Sequence, residues 1–228
     1  MARFEFGPIQ LELEVPASVY LPSDDTRLLV EEALINIGTD AGAGGKSSGS
    51  APKKASASPI RILEIGCGSG AVGIALAKAL GEKAHITACD ISPDAVKTAR
   101  ENAHRNNVGR AVAVVASDLF SAFSPADQFD WILFNPPYLP TAELDRVKGS
   151  LNSALDGGPD GLMMVKKFIS RAHAHLSPGG RILMIVSSLQ PKERLEETLS
   201  KHDLEHEILR EESFFFEKLQ VWLLKAQG

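Results

Sequence analysis

The sequence predicts an α/β protein built on a doubly wound, mainly parallel seven-stranded sheet with helices on both faces. Three observations carry that reading. From Ile60 onward, short β-rich runs alternate with capped, helix-like stretches, the pattern of successive βαβ units. The first of these runs, Ile60–Ile65, passes through three alternating glycines, Gly66, Gly68 and Gly70, straight into the helix-like Ala71–Leu80. A later run, Phe129–Phe134, is stopped by Asn135-Pro136-Pro137-Tyr138, because two prolines cannot continue a hydrogen-bonded ladder. In open α/β sheets ligands bind at the C-terminal tips of strands, so two of these three features also mark where function is expected.

The chain has 228 residues, 44% apolar and 23% charged, enough for one domain with a sizeable core. A net charge of −5 argues against bulk nucleic-acid binding, which calls for a basic face. Two cysteines, Cys67 and Cys89, make no disulfide framework and read as reduced core thiols. No run reaches the ~18 apolar residues of a membrane span, and the N-terminus lacks a basic-then-apolar leader. A cytoplasmic address is the expectation.

Three segments are expected: an N-terminal strand and helix over 1–37 that pack on the rest, a linker over 38–59, and the catalytic domain over 60–228. In the first, Ile9–Val15 alternates apolar and polar residues as a half-exposed strand does. Ser23 or Asp24 then caps a helix with Leu28, Leu29, Ala33, Leu34 and Ile37 on one side, ending at Gly38. Capping and dipole compensation is the plain reading of Asp24, Asp25 and Thr26, and the one adopted for Asp24. Residues 38–59 are rich in Gly, Ser, Ala, Lys and Pro and hold no large apolar side chain, a linker composition. Its Gly44-Gly45-Lys46-Ser47 resembles the close of a phosphate-binding loop, but Asp40 stands where the leading glycine belongs, so nucleoside triphosphate binding is set aside.

Beyond the glycine loop, Ala84–Cys89 reads as a strand ending in Asp90, and Pro93–Asn106 as a helix opened by Ser92 and Pro93. Ala111–Ala116 is a strand ending in Ser117-Asp118. Residues 139–160 are expected to be irregular, with a glycine-rich knot over 154–161. Leu162–Leu176 reads as a helix, Ser177–Gly180 as a turn, Arg181–Val186 as a strand, Pro191–Lys201 as a helix, and Leu204–Arg210 and Phe214–Leu224 as two closing strands. The six histidines are scattered without metal-site spacing, so no metal is expected; His173 and His175 read as solvated residues.

Glu64 leads into the glycine loop, and this loop lacks the spacing of a dinucleotide fingerprint. A carboxylate there suits a cationic amino-acid head, while backbone N–H groups at Ser69 and Gly70 suit its carboxylate. Asp90 sits where an acid accepts from a ribose diol, and Asp118 where one can accept from an adenine amine. A nucleoside with a cationic amino-acid tail and no phosphates is S-adenosylmethionine (AdoMet).

Taken together, Glu64–Gly70, Asp90, Asp118 and Asn135–Tyr138 resemble a class I, Rossmann-like AdoMet-dependent methyltransferase of the amino-methylating kind. With Val19-Tyr20-x-Pro22-x-x-Asp25-Thr26 and Ala154–Leu162, the chain is more closely similar to the HemK family of release-factor glutamine methyltransferases, in its short archaeal and eukaryotic branch. Leu21 departs from that branch, which usually has Glu there. The resemblance implies that Thr26 and Glu64 neighbour the methionine end of AdoMet, Asp90 and Ile91 the ribose side, and Asp118 and Leu119 the adenine. It also implies that Gly66, Gly68 and Gly70 form the loop around the cofactor, bounded by Asn135. Asn135 and the Pro136 carbonyl would accept the two hydrogens of the substrate NH₂, turning its lone pair toward the methyl, with Pro137 stiffening the loop and Tyr138 stacking on the planar acceptor.

The substrate is then expected to be a glutamine amide of a translation release factor. Alternatives are an exocyclic adenine amine in nucleic acid, a lysine or other protein amine, or no catalysis at all in an AdoMet-binding subunit. The strand Ala111–Ala116 is expected at a sheet edge with neither charge, proline nor bulge to protect it. The branch resembled works with a small zinc-ribbon activator, so that edge is expected to receive one by strand addition.

Overall fold

The computed structural model describes residues 1–41, 58–140 and 156–227. Its centre is a seven-stranded sheet of β3 (Ile60–Ile65), β4 (Ala84–Asp90), β5 (Val112–Ala116), β6 (Phe129–Phe134), β7 (Leu176–Ser187), β8 (Leu204–Ser213) and β9 (Lys218–Ala226). Their spatial order is β5-β4-β3-β6-β7-β9-β8. The first five strands pair in parallel, and β9 runs antiparallel between β7 and β8. The order reverses between β3 and β6, so the crevice for a ligand opens where the glycine loop and the Asn-Pro-Pro-Tyr loop leave neighbouring strands.

Both faces of the central strands are covered, which is why β3 and β6 read as nearly unbroken apolar runs. On one face, α1 (Asp24–Asp40), α2 (Ala71–Leu80) and α3 (Pro93–Arg105) form one core with Ile62, Ile86, Leu133 and Leu183. On the other, α4 (Met163–Ala172) and α5 (Lys192–Ser200) pack with Leu63, Ile132, Phe134 and Trp222. Ile62 and Leu63 are neighbours that point to opposite cores, as the two-residue period of a strand requires.

The N-terminal stretch differs from expectation. It is a hairpin of β1 (Ala2–Phe6) and β2 (Ile9–Leu13), not a single strand reaching Val15. The alternation Arg3-Phe4-Glu5-Phe6 followed by Gly7-Pro8 was the signal for the missed strand, and Gly7 adopts φ 56° at the turn. β2 joins no strand of the main sheet; two asparagines one turn apart on α3 serve its backbone instead. Asn102 accepts from Glu14 N (2.9 Å) and donates to Glu14 O (3.1 Å); Asn106 accepts from Glu12 N (3.1 Å) and donates to Glu12 O (2.8 Å). Asn102 also donates to Ser69 O (3.0 Å), tying the N-terminal segment to the glycine loop.

Helix α1 does not stop at Gly38. Gly38 is buried within the helix, which runs on to Asp40, where the carboxylate accepts from Trp131 Nε1 (3.2 Å) and pairs with Arg181 (3.5 Å). The remainder of the expected linker, residues 42–57 with Gly44–Ser47, lies outside the described residues, as do residues 141–155 with Ala154 and Leu155 of the glycine-rich knot.

Four corrections fall in the C-terminal half. Leu176 ends no helix: α4 closes at Ala172, a 3₁₀ turn covers His173–His175, and Leu176 opens β7. Ser177–Gly180 is therefore an irregularity inside β7, where the register against β6 shifts between Phe129 and Trp131, rather than a separate turn. His175 is buried, stacked on Phe120 at 4.7 Å and held at Nδ1 by Asp127 O (3.1 Å), so it is not a solvated residue. Finally, β8 extends to Ser213 and β9 begins only at Lys218, so Phe214–Glu217 forms the turn of a hairpin and not the start of a strand.

Replacing Asn102 by Ala is expected to cost about 1–3 kcal/mol, because it orphans the buried carbonyl of Ser69 and removes both bonds to the Glu14 backbone. Urea denaturation reads this as a lower midpoint at an unchanged slope; an unchanged midpoint would show that water takes over the amide's bonds.

Candidate active site

The site is assembled from strand tips. At the end of β3, Gly66 (φ 68°) and Gly68 (φ 51°) turn the chain in conformations that side chains rarely adopt. Asp90, at the tip of β4, grips this loop: Oδ2 accepts from Gly68 N (2.9 Å) and Oδ1 from Ser92 N (2.8 Å). Cys67 N donates to Cys89 O (2.9 Å), pinning the same two tips together. Both cysteines are free and buried, as expected, and burial pushes the Cys89 thiol up to about 12.

Glu64 is buried beneath the loop with Oε2 accepting from Gly73 N (2.9 Å). A Cβ at position 73 would stand 2.7 Å from that oxygen, so only glycine lets helix α2 approach the carboxylate this closely. Burial, aided by the nearby charge of Asp90 and opposed by the Gly73 hydrogen bond, pushes Glu64 up to about 8. Gly70 does not behave as expected. Its N–H donates to Cys67 O (2.7 Å), and it packs against Ala99 as the N-cap of α2, behind the cleft rather than on its wall. The N–H groups of Ser69, Ala71 and Val72 have no acceptor among the described residues and form the donor end of the loop.

At the tip of β6, the amide of Asn135 follows Phe134, and its Oδ1 is buried without a hydrogen-bond partner, the only such side-chain atom among the described residues. The glycine-rich segment that follows backs this loop. Gly157 N donates to Leu139 O (3.0 Å), and a Cβ on Gly157 would lie 2.9 Å from Pro137 O. Gly161 (φ 70°) leaves no room for a side chain against Tyr138 O. Gln190 locks the packing from behind by donating Nε2 to Gly161 O (2.7 Å).

The stretch ahead of α1 supplies the remaining wall. Ser23 caps the helix, and Thr26 Oγ1 accepts from Ser23 N (3.4 Å). Asp25 does more than compensate the helix dipole. It is buried, accepts from Thr26 N (2.5 Å) through Oδ1, and receives the hydroxyls of Tyr20 (3.0 Å) and Tyr138 (3.5 Å) on Oδ2. Burial and the Asp25 charge push both phenols well above their usual range, so they remain protonated donors.

One cleft brings together Thr26, Glu64, Gly66, Gly68, Asp90, Ile91, Asp118, Leu119 and Asn135–Tyr138, with Gly70 alone of the expected residues left behind it. Tyr20 and Asp25 also line it and were not singled out as site residues. Asp118 is exposed just past the tip of β5, and the adjacent Leu119 is buried at φ 50°, its carbonyl accepting from Ser117 Oγ (2.7 Å).

This fold and these strand-tip groups define a class I methyltransferase. Residues 53–150 match the family model of the methyltransferase small domain. The chain is 35% identical over 211 residues to a Methanocaldococcus jannaschii protein assigned as a protein N5-glutamine methyltransferase, covering 92% of this chain and 93% of that one. It is also 35% identical over 179 residues to the release factor glutamine methyltransferase of Geobacter sulfurreducens, covering 76% of this chain and 55% of the relative. It thus spans about half the length of the bacterial relatives it matches. Among solved structures, a Pyrococcus furiosus methyltransferase superposes with a TM-score of 0.63 at 18% identity, covering 95% of this chain and 89% of that one. The E. cuniculi Mtq2–Trm112 complex, responsible for methylation of the eRF1 termination factor, superposes at 0.61 and 17% identity, covering 92% and 99%. At such identities these two neighbours show the fold alone. The chain belongs to the HemK family of protein N5-glutamine methyltransferases, and membership of a methyltransferase family implies AdoMet as methyl donor.

Glu64 makes stability depend on pH in a stated direction. Its carboxyl titrates near 4.5 when free and at about 8 when folded. The folded state therefore holds more protons between those values, and the contribution is fully present below about 4.5 and lost as pH rises through about 8. Urea titrations of wild type and Glu64→Gln, without ligand, should show the wild type losing a few kcal/mol relative to the variant from pH 5 to pH 8. Parallel pH profiles would mean that the carboxyl is already ionised at pH 5.

Proposed function

We propose that this chain transfers the methyl group of AdoMet to the side-chain amide nitrogen of a glutamine in a translation release factor. The observation that carries the reading is the orphaned acceptor Asn135 Oδ1, held in a stiff loop at the ligand end of the sheet. A buried acceptor without a donor costs about 1–3 kcal/mol, and a substrate N–H removes that cost. The cofactor fits the donors and acceptors present. Glu64 and the free N–H groups beside it match an amino-acid head, Thr26 borders the same end, Asp90 keeps acceptor capacity toward a diol, and Asp118 with Leu119 borders the adenine side.

AdoMet supplies an electrophilic methyl on a sulfonium. The protein supplies orientation. An amide nitrogen is a poor nucleophile because its lone pair is delocalised into the carbonyl. Asn135 Oδ1 and Pro136 O, accepting the two N–H hydrogens, hold the NH₂ group so that its lone pair faces the methyl. Tyr138, clamped by Asp25, offers its ring to the planar acceptor. Held in this way, the amide nitrogen would form its new N–C bond as the C–S bond of bound AdoMet gave its electron pair to sulfur, and the nitrogen would then lose one proton to water.

An adenine amine would satisfy the same acceptors, but the chain's net charge of −5 and the names of its relatives favour glutamine. Labelled AdoMet incubated with a release factor, an adenine-containing oligonucleotide or no substrate separates the readings; label in the oligonucleotide alone overturns the proposal. Asn135→Ala should abolish transfer while AdoMet still binds within about tenfold, since Asn135 chiefly orients the acceptor. Asp90→Ala should weaken AdoMet binding by about 1–3 kcal/mol, read by calorimetry.

We further propose that the β5 edge receives a small zinc-ribbon activator. The strand lies at the sheet edge, but it is less open than its own side chains imply. Arg100 of α3 donates Nη2 (2.8 Å) and Nε (3.3 Å) to Val114 O, so charge guards the edge from a neighbouring helix. Strand addition must displace that guanidinium. Ala113, whose side chain is exposed, is the clean probe: Ala113→Lys should weaken a 1:1 complex in co-purification yet leave the isolated chain's melting temperature within about 2 °C. A fully active monomer indifferent to the activator would defeat this partner.

A further inference from the structure

The turn joining β8 to β9 holds two large apolar side chains almost wholly in water: Phe215 is 91% exposed and Phe216 84%. Their rings meet edge to face, 4.5 Å apart at 89°, while Phe214 beside them packs against the core. The turn is not loose. Phe214 N donates to Glu217 O (2.7 Å), Lys218 N to Ser188 Oγ (2.9 Å), and Ser188 N to Lys218 O (2.9 Å).

This hairpin is bolted to the catalytic loop. Glu217 Oε2 accepts from Ser187 Oγ (2.5 Å) at the tip of β7, the strand beside β6. Ser187 N donates to Gln190 Oε1 (3.0 Å), and Gln190 Nε2 donates to Gly161 O, which packs on Tyr138 O. The Glu217 charge reaches the phenols of both Tyr20 and Tyr138. The aromatic pair adjoins Glu217 and so stands beside this network, on the β9 side of the sheet opposite the β5 edge and outside the residues that line the cleft. Leu189, next to this network, is also exposed (42%), and so is Leu21 (56%), next to Tyr20 on the cleft wall.

Exposed apolar side chains beside a cleft proposed to take a glutamine amide have a defined use. A glutamine reaching Asn135 drags its own main chain and flanking residues past them, and only a polypeptide substrate brings apolar side chains there. We infer that Phe215 and Phe216 are a docking platform for the polypeptide flanking the acceptor glutamine, gripping an apolar residue of the substrate protein outside the cleft. The inference deepens the proposed function and rests on it.

The test compares wild type with the double variant Phe215→Ala/Phe216→Ala, whose changes fall on exposed side chains and leave the core intact. Methyl transfer is measured on the intact release factor and on a glutamine peptide of the same factor too short to reach the pair, with AdoMet affinity by calorimetry and mass by sedimentation. A pair of aromatic anchors predicts that KM for the intact factor rises by about tenfold or more. At saturation kcat, the short peptide's kinetics and AdoMet affinity stay within about twofold, since none of them uses the platform. An unchanged KM overturns the inference, as does a change from dimer to monomer with unchanged kinetics, which would assign the pair to a second copy of this chain. Wild type that transfers nothing to any release factor overturns the proposed function and this inference together. Wild-type transfer with an unchanged variant KM overturns the inference alone.

Discussion

The ligand end of the molecule depends on two carboxylates that grip backbone at the tips of adjacent parallel strands. Asp90 takes the N–H groups of Gly68 and Ser92, one on each oxygen, while Glu64 takes that of Gly73. Each bond fixes something the fold would otherwise leave loose: the path of the glycine loop, the exit of β4 into α3, and the approach of α2 to β3. Parallel pairing places the residues side by side, since Ile65 pairs with Cys89 immediately before the two loops. The consequence is a concentration of negative charge under the cleft floor. Burial first, and the Asp90 charge after it, keep Glu64 largely protonated at neutral pH when no ligand is present. A cationic amino-acid head would favour its ionised form, so the same arrangement that fixes the loop readies it for a positively charged ligand.

How much of this was legible follows from how local each signal is. The alternating strands and helices, the glycine loop, and the tips at Asp90, Asp118 and Asn135 are contiguous patterns, and all were readable in order. So was the edge position of β5. What could not be read is pairing between segments remote in sequence. Asn102 and Asn106 look like ordinary helix residues, and nothing near them reveals that they hold the backbone of β2. Arg100 lies on a helix, yet it guards the carbonyl of Val114 on the next strand. Gly38 reads as a helix stop until Asp40 finds Trp131 and Arg181 across the sheet. Phe214–Phe216 read as strand because aromatics favour strands, but the antiparallel register of β8 and β9 leaves them at the turn.

The closing hairpin illustrates how a sheet's far edge becomes part of a site near its middle. The Asn-Pro-Pro-Tyr loop has prolines at two positions and so has few N–H groups with which to anchor itself. Its support comes through carbonyls. Leu139 O takes Gly157 N, Pro137 O and Tyr138 O lie against glycines, and Gln190 closes the back of Gly161. Those glycines serve proximity: any side chain at 157 or 161 would push the loop out of line. Gln190 is itself held by Ser187 N, and Ser187 by Glu217. Rigidity at Asn135 therefore depends on residues more than fifty positions away in sequence, contributed by the second half of the chain.

In the transfer proposed above, that rigidity matters because the chemistry is orientation without a strong base. Asp25 is a carboxylate near the acceptor loop, yet two tyrosine hydroxyls and the backbone of Thr26 occupy its oxygens. Its hydrogen bonds make it a fixed acceptor holding two rings, and they leave it poorly suited to removing a proton from an amide. Asn135 is the opposite case. It is neutral, so it does not pull a proton from the acceptor before the methyl arrives, and its oxygen is unpaired, so the substrate meets no competing donor. A charged side chain at 135 would trap the substrate nitrogen by proton transfer or repel it. A fully bonded one would have to break its own contacts first. A stiff loop presenting one neutral, unsatisfied acceptor avoids both, and the proline pair, the glycine packing and the Asp25 clamp are the parts of the sequence that keep it stiff.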